Sequence, residues 1–152
     1  MIVPREGVRT MATIEKSIAI EALPEHVAEY LADPVHLPEI WPSMIEVRDV
    51  EALPAGGNRY HWVYKMAGMR FEGDSETVEF VPNEHFVQKN TGIPSTFFWK
   101  FLPKNGGTEV EMKVDYEVPK TLLGKFAEPF VLRLNEREAE IVLANLKDRV
   151  ES

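Results

Sequence analysis

At 152 residues, of which 44% are apolar, the chain fits one domain with one substantial core. The lack of cysteine excludes disulfides, thiolate metal sites and cysteine nucleophiles, and a net charge of −8, from 25 acidic against 17 basic residues, repels phosphate backbones and anionic membrane surfaces. No nucleic-acid partner and no stable membrane insertion are therefore expected: no run approaches the ~18 apolar residues of a membrane span, and the first ten residues lack the apolar region of a secretory signal, so the expected location is the cytoplasm.

Residues 1–10 carry no periodic pattern and read as a mobile extension, which leaves 11–152 as a single domain. In residues 13–21, Ile14, Ile18 and Ile20 share one face at period two, with Lys16 the exception, and this predicts a strand. Leu23-Pro24-Glu25 opens a helix in which Val27, Tyr30 and Leu31 fall at helical spacing, and Asp33-Pro34 ends it. A second short helix, through Val35, Leu37 and Ile40, stops at Trp41-Pro42-Ser43.

From 44 to 118 six apolar, alternating runs are divided by turn clusters at 54–57, 67–69, 82–84, 91–95 and 103–107, the pattern of an antiparallel meander. In the last run Val110, Met112, Val114, Tyr116 and Val118 alternate with charged residues, so one face is dry and the other wet. The dry faces of other runs are aromatic: Tyr60, Trp62 and Tyr64 with Met66, and Phe97, Trp99 and Phe101. Residues 70–80 change phase, because Phe71, Gly73, Ser75 and Thr77 face one way while Val78 and Phe80 face the other; a bulge or bend is predicted between 73 and 78.

Residues 122 to about 150 are rich in helix formers and predict one long helix, with Pro129 either kinking it or marking a separate first helix. Its apolar stripe begins as Leu123, Phe126, Ala127, Phe130 and Leu134 and resumes, rotated, as Ala139, Val142, Leu143, Leu146 and Val150. Either the helix bends near 135–138 or its halves face different surroundings. One strand, two short helices, six strands and one long helix cannot supply the crossovers of a parallel sheet. The predicted fold class is α+β, a seven-stranded curved antiparallel sheet wrapped on the C-terminal helix around an apolar cavity.

Three segments carry a family likeness: IEKSIAIEALPEHVAEYLADPVHLPEIWPSM at 14–44, YKMAGMRFEG at 64–73 and LNEREAEIVLANLKDRV at 134–150. Over residues 13–150 the chain resembles the START-like (SRPBCC) superfamily, the helix-grip fold, and within it the polyketide cyclase/dehydrase branch. The resemblance implies a deep hydrophobic cavity and activities that range from carriage of lipids or aromatic ligands to cyclisation of polyketides. Fold alone does not choose among these.

The residues offer little conventional catalytic chemistry. His26, His36, His61 and His85 form no HxxxH or HExxH pair, so no metal is expected, and no GxSxG elbow activates a serine. The glycines at 56–57, 68, 73 and 106–107 lack GxGxxG or GxxxxGK spacing, and no cofactor is expected. His61 shares a face with Arg59 and Lys65, so an exposed imidazole outweighs a cavity base; Glu138 belongs to a charged run at 136–140 that reads as solvated, with a minority reading at the cavity edge.

What remains is a set of amphipathic ligand-binding candidates: Trp41, Trp62, Tyr64, Met66, Phe71, Ser75, Asn90, Phe97, Trp99, Tyr116, Phe126, Phe130 and Leu134, with Thr77 beside them. Tyr and Trp join a large apolar body to one polar tip, which suits orienting a ligand in a greasy cavity, though ordinary core packing is an equal alternative. The hairpin tip at 66–71 is read as an exposed apolar lip or partner contact. Three functions follow in order: binding or transport of a hydrophobic small molecule such as a lipid, isoprenoid or aromatic polyketide; an enzyme of the polyketide cyclase/aromatase or dehydratase type, with Tyr64, His61 or Glu138 as proton carriers; and a protein-interaction module. A homodimer stays open.

Overall fold

The chain runs through one antiparallel sheet that is interrupted early by a helical connection and closed late by a long helix. The structure is a computed structural model and describes residues 9–152. Strand β1 (Met11–Ile20) leads into α1 (Pro24–Ala32), where Pro24 at the first helical position accepts the fixed φ of a helix start. Asp33 then caps a 3₁₀ turn (Pro34–His36), its carboxylate accepting from Val35 N at 3.2 Å, and α2 (Leu37–Ile40) follows directly. The predicted second helix is thus a 3₁₀ turn and a single α-turn in series.

Six strands come next: β2 (Met44–Ala52), β3 (Asn58–Met66), β4 (Met69–Val81), β5 (His85–Asn90), β6 (Ser95–Lys104) and β7 (Gly107–Glu117). The sheet order is β1-β7-β6-β5-β4-β3-β2, antiparallel throughout. The helical connection therefore carries the chain from one sheet edge to the other, and the meander brings it back until β7 pairs with β1.

The phase change in residues 70–80 is a bulge. Thr77 pairs with Gln88 and Glu79 with Val87, so Val78 is the extra residue and stands half exposed. Ser75 and Thr77 point inward before it and Phe80 packs against the core after it, as one inserted residue requires. Lys16, the exception in the first strand, reaches α4 and meets Glu140 at 3.1 Å.

The C-terminal segment is two helices rather than one: α3 (Lys120–Leu123) ends at Gly124, and α4 (Glu128–Glu151) starts afresh with Pro129 in its first turn. Proline cannot donate the amide that a continuous helix would need there, so the separate-helix alternative is the one realised. At ~1.5 Å per residue the 24 residues of α4 span about 36 Å, enough to cross the sheet. Its buried face is Val131, Asn135, Ala139, Val142, Leu143 and Leu146, one continuous stripe at helical spacing. The buried stripe is the second of the two sequence stripes, continued back through the polar Asn135 to Val131, while the first lies on another face, with Phe130 half exposed.

The turn at 66–71 differs from its expectation. Ala67 and Gly68 both take positive φ, 49° and 80°, as a two-residue hairpin turn demands. Met66 is buried, and Met69 and Phe71 pack partly against the core, so the tip exposes Ala67 and only part of the Met69 and Phe71 side chains. The reading of residues 1–10 as an extension falls almost wholly outside the described residues. Among the described residues no helix is long and apolar enough to cross a membrane.

Candidate functional site

Between the concave face of the sheet and α4 the side chains leave a cavity of about 120 Å³. Packed interiors rarely leave voids larger than a water, so an opening of this size in the centre of a domain is a feature of the design. A cavity of ~150 Å³ lined by aliphatic and aromatic groups takes up benzene. The space here holds one small ring, and anything larger requires wall side chains to move. Met44, Met66 and Met112 are in that wall, and unbranched thioether chains adapt at low cost.

Eight of the sequence candidates line the cavity: Trp41, Trp62, Tyr64, Met66, Asn90, Phe97, Trp99 and Tyr116. Five do not. Ser75 is buried just outside the wall, Phe71, Leu134 and Phe126 pack against the core without lining the cavity, and the half-exposed Phe130 meets Phe126 with the ring centres 5.5 Å apart and tilted. The spacing of these two rings implies one apolar helix face, but Phe126 lies in the link between α3 and α4 and Phe130 in the first turn of α4, so no single helix carries both. Thr77 is also buried outside the wall, its hydroxyl accepting from Asn58 N at 3.1 Å.

The wall also contains polar residues that the sequence candidates omit: Gln88, Ser95, Asn135 and Glu138. Gln88 was within reach of strand alternation, since Phe86, Gln88 and Asn90 share a face of β5. Glu138 is in the wall, as the minority reading of its charged run at the cavity edge has it, whereas Asn135 is hidden because a hydrophobic-period reading treats a polar residue as a gap in the stripe, although Val131, Asn135 and Ala139 are spaced by single helical turns.

Glu138 is the most consequential of them. Its two carboxylate oxygens accept from Ser43, from the backbone N–H at 3.1 Å and from Oγ at 2.6 Å. Ser43 lies in the short link between α2 and β2, which Asn145 also ties to α4 by donating to Ile40 O at 3.0 Å. Beside this clamp, Trp41 Nε1 donates to the Tyr64 hydroxyl at 3.0 Å. Burial pushes the Tyr64 phenol far up, and the adjacent Glu138 charge pushes it further. Tyr64 therefore keeps its proton and stands as a neutral hydroxyl between an indole donor and a carboxylate.

None of the histidines lines the cavity. His61 sits on the outer face with Nδ1 3.1 Å from Asp74, His85 meets Glu79 at 3.0 Å, His36 stacks on Tyr30 at 4.2 Å, and His26 is exposed. Among the described residues Glu138 is the only acid in the wall, and no Lys, Arg or His joins it.

All four tyrosines have phenols raised above their ordinary value: Tyr60, Tyr64 and Tyr116 chiefly by burial, and Tyr30, also by burial first and then by its hydrogen bond to Glu39, to about 12. A phenol with a raised folded-state pKa binds its proton more tightly in the folded chain. Its contribution to stability is complete below the unfolded value of about 10 and is lost as pH rises through that value toward 12. An alkaline titration of the native protein is expected to show almost no tyrosinate absorbance near pH ~10, then a single cooperative rise that coincides with loss of the near-UV circular dichroism; a separate early phase equal to one tyrosine would contradict this.

A curved antiparallel sheet gripping a long helix around an aromatic-lined cavity defines the helix-grip fold. The family model described as "Polyketide cyclase / dehydrase and lipid transport" matches residues 11–151, and the chain belongs to that family, within the START-like superfamily. No curated protein matches the chain significantly in sequence. Among solved structures it is similar to TTHA0849 from Thermus thermophilus, at 23% identity and a TM-score of 0.77, covering 91% of this chain and 97% of that one. It is also similar to the Zhui aromatase/cyclase from Streptomyces sp. R1128, at 16% identity and 0.75, covering 93% and 94%. A third, the di-domain ARO/CYC BexL of the BE-7585A biosynthetic pathway, gives 20% identity and 0.75, covering 93% of this chain and 50% of that one. At such identities these likenesses establish the fold.

Proposed function

We propose that the chain binds a hydrophobic small molecule in the cavity between α4 and the sheet. The observation that carries this reading is the unfilled space itself, walled by Trp41, Trp62, Phe97 and Trp99 where close packing would be the rule. The family, whose description covers both polyketide chemistry and lipid transport, supports it. Titration of the labelled protein with a monocyclic apolar probe such as toluene, followed by amide NMR, is expected to give saturable shifts confined to residues of the wall. Absence of saturation would remove this reading.

A second reading is enzymatic, of the polyketide cyclase/aromatase or dehydratase type, and one observation favours it: Glu138 stands beside Tyr64 at the cavity wall. A carboxylate there could take a proton from the carbon next to a carbonyl, the neutral Tyr64 hydroxyl donating a hydrogen bond to the enolate oxygen as charge develops. The third reading, an interaction module with a filled cavity and an apolar tip at 66–71, has neither feature in its support.

The enzymatic reading predicts that the protein speeds exchange of the α-protons of a small aromatic ketone in deuterated water, and that Glu138→Gln lowers this rate by about 10²-fold or more. The glutamine amide retains an oxygen for Ser43 N and an NH₂ for Ser43 Oγ, so stability should change by less than ~1 kcal/mol. Glu138→Ala, which leaves both Ser43 donors unpaired, should cost about 2 kcal/mol. Exchange no faster than in buffer would leave the binding reading alone.

A further inference from the structure

The sheet register places polar tips in one line across an otherwise greasy face. Tyr60 lies opposite Ser75, Ser75 opposite Asn90, Asn90 opposite Ser95 and Ser95 opposite Tyr116. Directly opposed residues of antiparallel strands point to the same face, so these five form a row that crosses the concave surface from β3 to β7. Such a row is costly in an apolar interior unless its members find partners.

At one end they do. Asn135 Nδ2 donates to the Tyr116 hydroxyl at 2.9 Å, Asn90 Nδ2 donates to Ser95 Oγ at 3.1 Å, and Ser95 Oγ donates to Ile93 O at 3.0 Å. At the other end they do not. Ser75 Oγ is buried with no hydrogen-bond partner, and so is the indole Nε1 of Trp62. The Tyr60 hydroxyl comes near enough to Ser75 to feel it, but no hydrogen bond of normal geometry joins them. Ser75 is 1% exposed and Trp62 6%. The two are neighbours: Trp62 pairs with Gly73, two residues before Ser75 on the same face of β4. Trp62 lines the cavity, and so does Asn90, the residue opposite Ser75.

An unpaired buried donor costs roughly 1–3 kcal/mol, and native interiors leave few of them. Trp62 stands in the cavity wall and Ser75 directly behind it, both donors closed off in the empty cavity, so a ligand that spreads the wall at this corner meets unused donor capacity. The charge of the wall is equally selective. Its one acid, Glu138, has no cation beside it in the wall among the described residues, so an anionic ligand would be buried near a like charge without compensation.

We propose that the β3–β4–β5 corner is a hydrogen-bonding subsite for an acceptor oxygen of a neutral ligand, a carbonyl, ether or hydroxyl, with Trp62 Nε1 as the donor in the wall and Ser75 Oγ, behind it, reached as the wall yields, and that the cavity rejects carboxylates. The subsite rests on the cavity-binding reading and narrows it: hydrocarbons and fatty-acid anions are disfavoured relative to neutral oxygenated rings.

Three probes built on one ring separate the two. Toluene, acetophenone and benzoate are titrated at neutral pH while the indole N–H resonances are followed by NMR. Acetophenone should bind about tenfold more tightly than toluene and should move the Trp62 indole signal downfield. Benzoate should not saturate. Ser75→Ala and Trp62→Phe should each bring the acetophenone-to-toluene affinity ratio toward one; the serine variant deletes only a hydroxyl and keeps the test open should the tryptophan variant fold poorly. Equal binding of toluene and acetophenone by the unmodified protein, or saturable binding of benzoate, overturns the subsite and leaves the cavity reading standing. No saturation by any of the three overturns both.

Discussion

Gly73→Val is expected to cost about 3–5 kcal/mol and to leave little folded protein, an effect far out of proportion to three added carbons. A Cβ on Gly73 would collide with the Thr91 carbonyl oxygen and would lie 2.6 Å from Trp62 Cζ2. Neither neighbour can withdraw cheaply. Thr91 is held by its own N–H on Asp74 O at 2.9 Å and by its Oγ1, which accepts from Asp74 N at 3.0 Å. The indole of Trp62 is buried in the cavity wall. The β5–β6 turn and the Trp62 ring thus approach the backbone of β4 only because no side chain stands there. Gly68→Ala is the control: a Cβ there meets nothing within 4 Å, and only the positive φ of 80° is unfavourable, at a cost of roughly 1 kcal/mol. Urea unfolding of both variants decides the matter, and equal losses would mean that the close approach at Gly73 is not a constraint.

Trp41→Ala is the second change of large effect, with an expected loss of about 3–5 kcal/mol, the usual range for deleting a buried aromatic. Trp41 is 8% exposed, its ring packs on Phe97 at 5.4 Å, and its N–H is the donor to Tyr64. The alanine variant empties one wall of the cavity and strips the Tyr64 hydroxyl of that donor. Trp41→Phe restores most of the contact with Phe97 and loses only the hydrogen bond, so about 1 kcal/mol is expected. The two variants should part company in binding as well. The alanine variant should admit a two-ring compound such as naphthalene, which the phenylalanine variant and the unmodified chain bind far more weakly. Thermal unfolding and NMR titration read both effects, and an alanine variant as stable as the phenylalanine one would show that the indole is not a packed part of the wall.

Much of the architecture was legible because it depends on period. Strict alternation in residues 109–118 and the aromatic faces of 60–66 and 97–101 are consequences of a sheet with one dry side, and a side-chain period of two survives translation into sequence without loss. The bulge at Val78 was legible for the same reason: one inserted residue reverses the phase of everything after it, and Val78 and Phe80 show the reversal. The proline and glycine signals were legible in kind, but the separation of α3 from α4 required knowing whether Pro129 would be tolerated inside a helix or used to begin one. A rule of local geometry allows both.

The cavity wall was legible only in part, and the differences have one cause. Aromatic and methionine character at inward positions points to Trp41, Trp62, Tyr64 and Trp99, which line the wall, and equally to Phe126 and Phe130, which do not, because the helix breaks between Leu123 and Glu128. The same rule passes over Asn135, which reads as an interruption of an apolar stripe, and gives Glu138 only a minority place at the cavity edge.

By itself, then, the sequence determined which segments form strands and helices, which face of each strand is dry, and that one helix must cover the sheet, since these follow from periodicity and from the need to bury apolar surface. Only the tertiary structure decided that Glu138 meets Ser43 beside Tyr64, that Ser75, Asn90, Ser95 and Tyr116 align across four strands, and that two donors among Trp62 and Ser75 go unpaired. Register between strands and the rotation of a helix about its axis bring together residues far apart in the chain, 95 positions in the case of Ser43 and Glu138. No local pattern encodes such a meeting, because it is set by the packing of the whole domain.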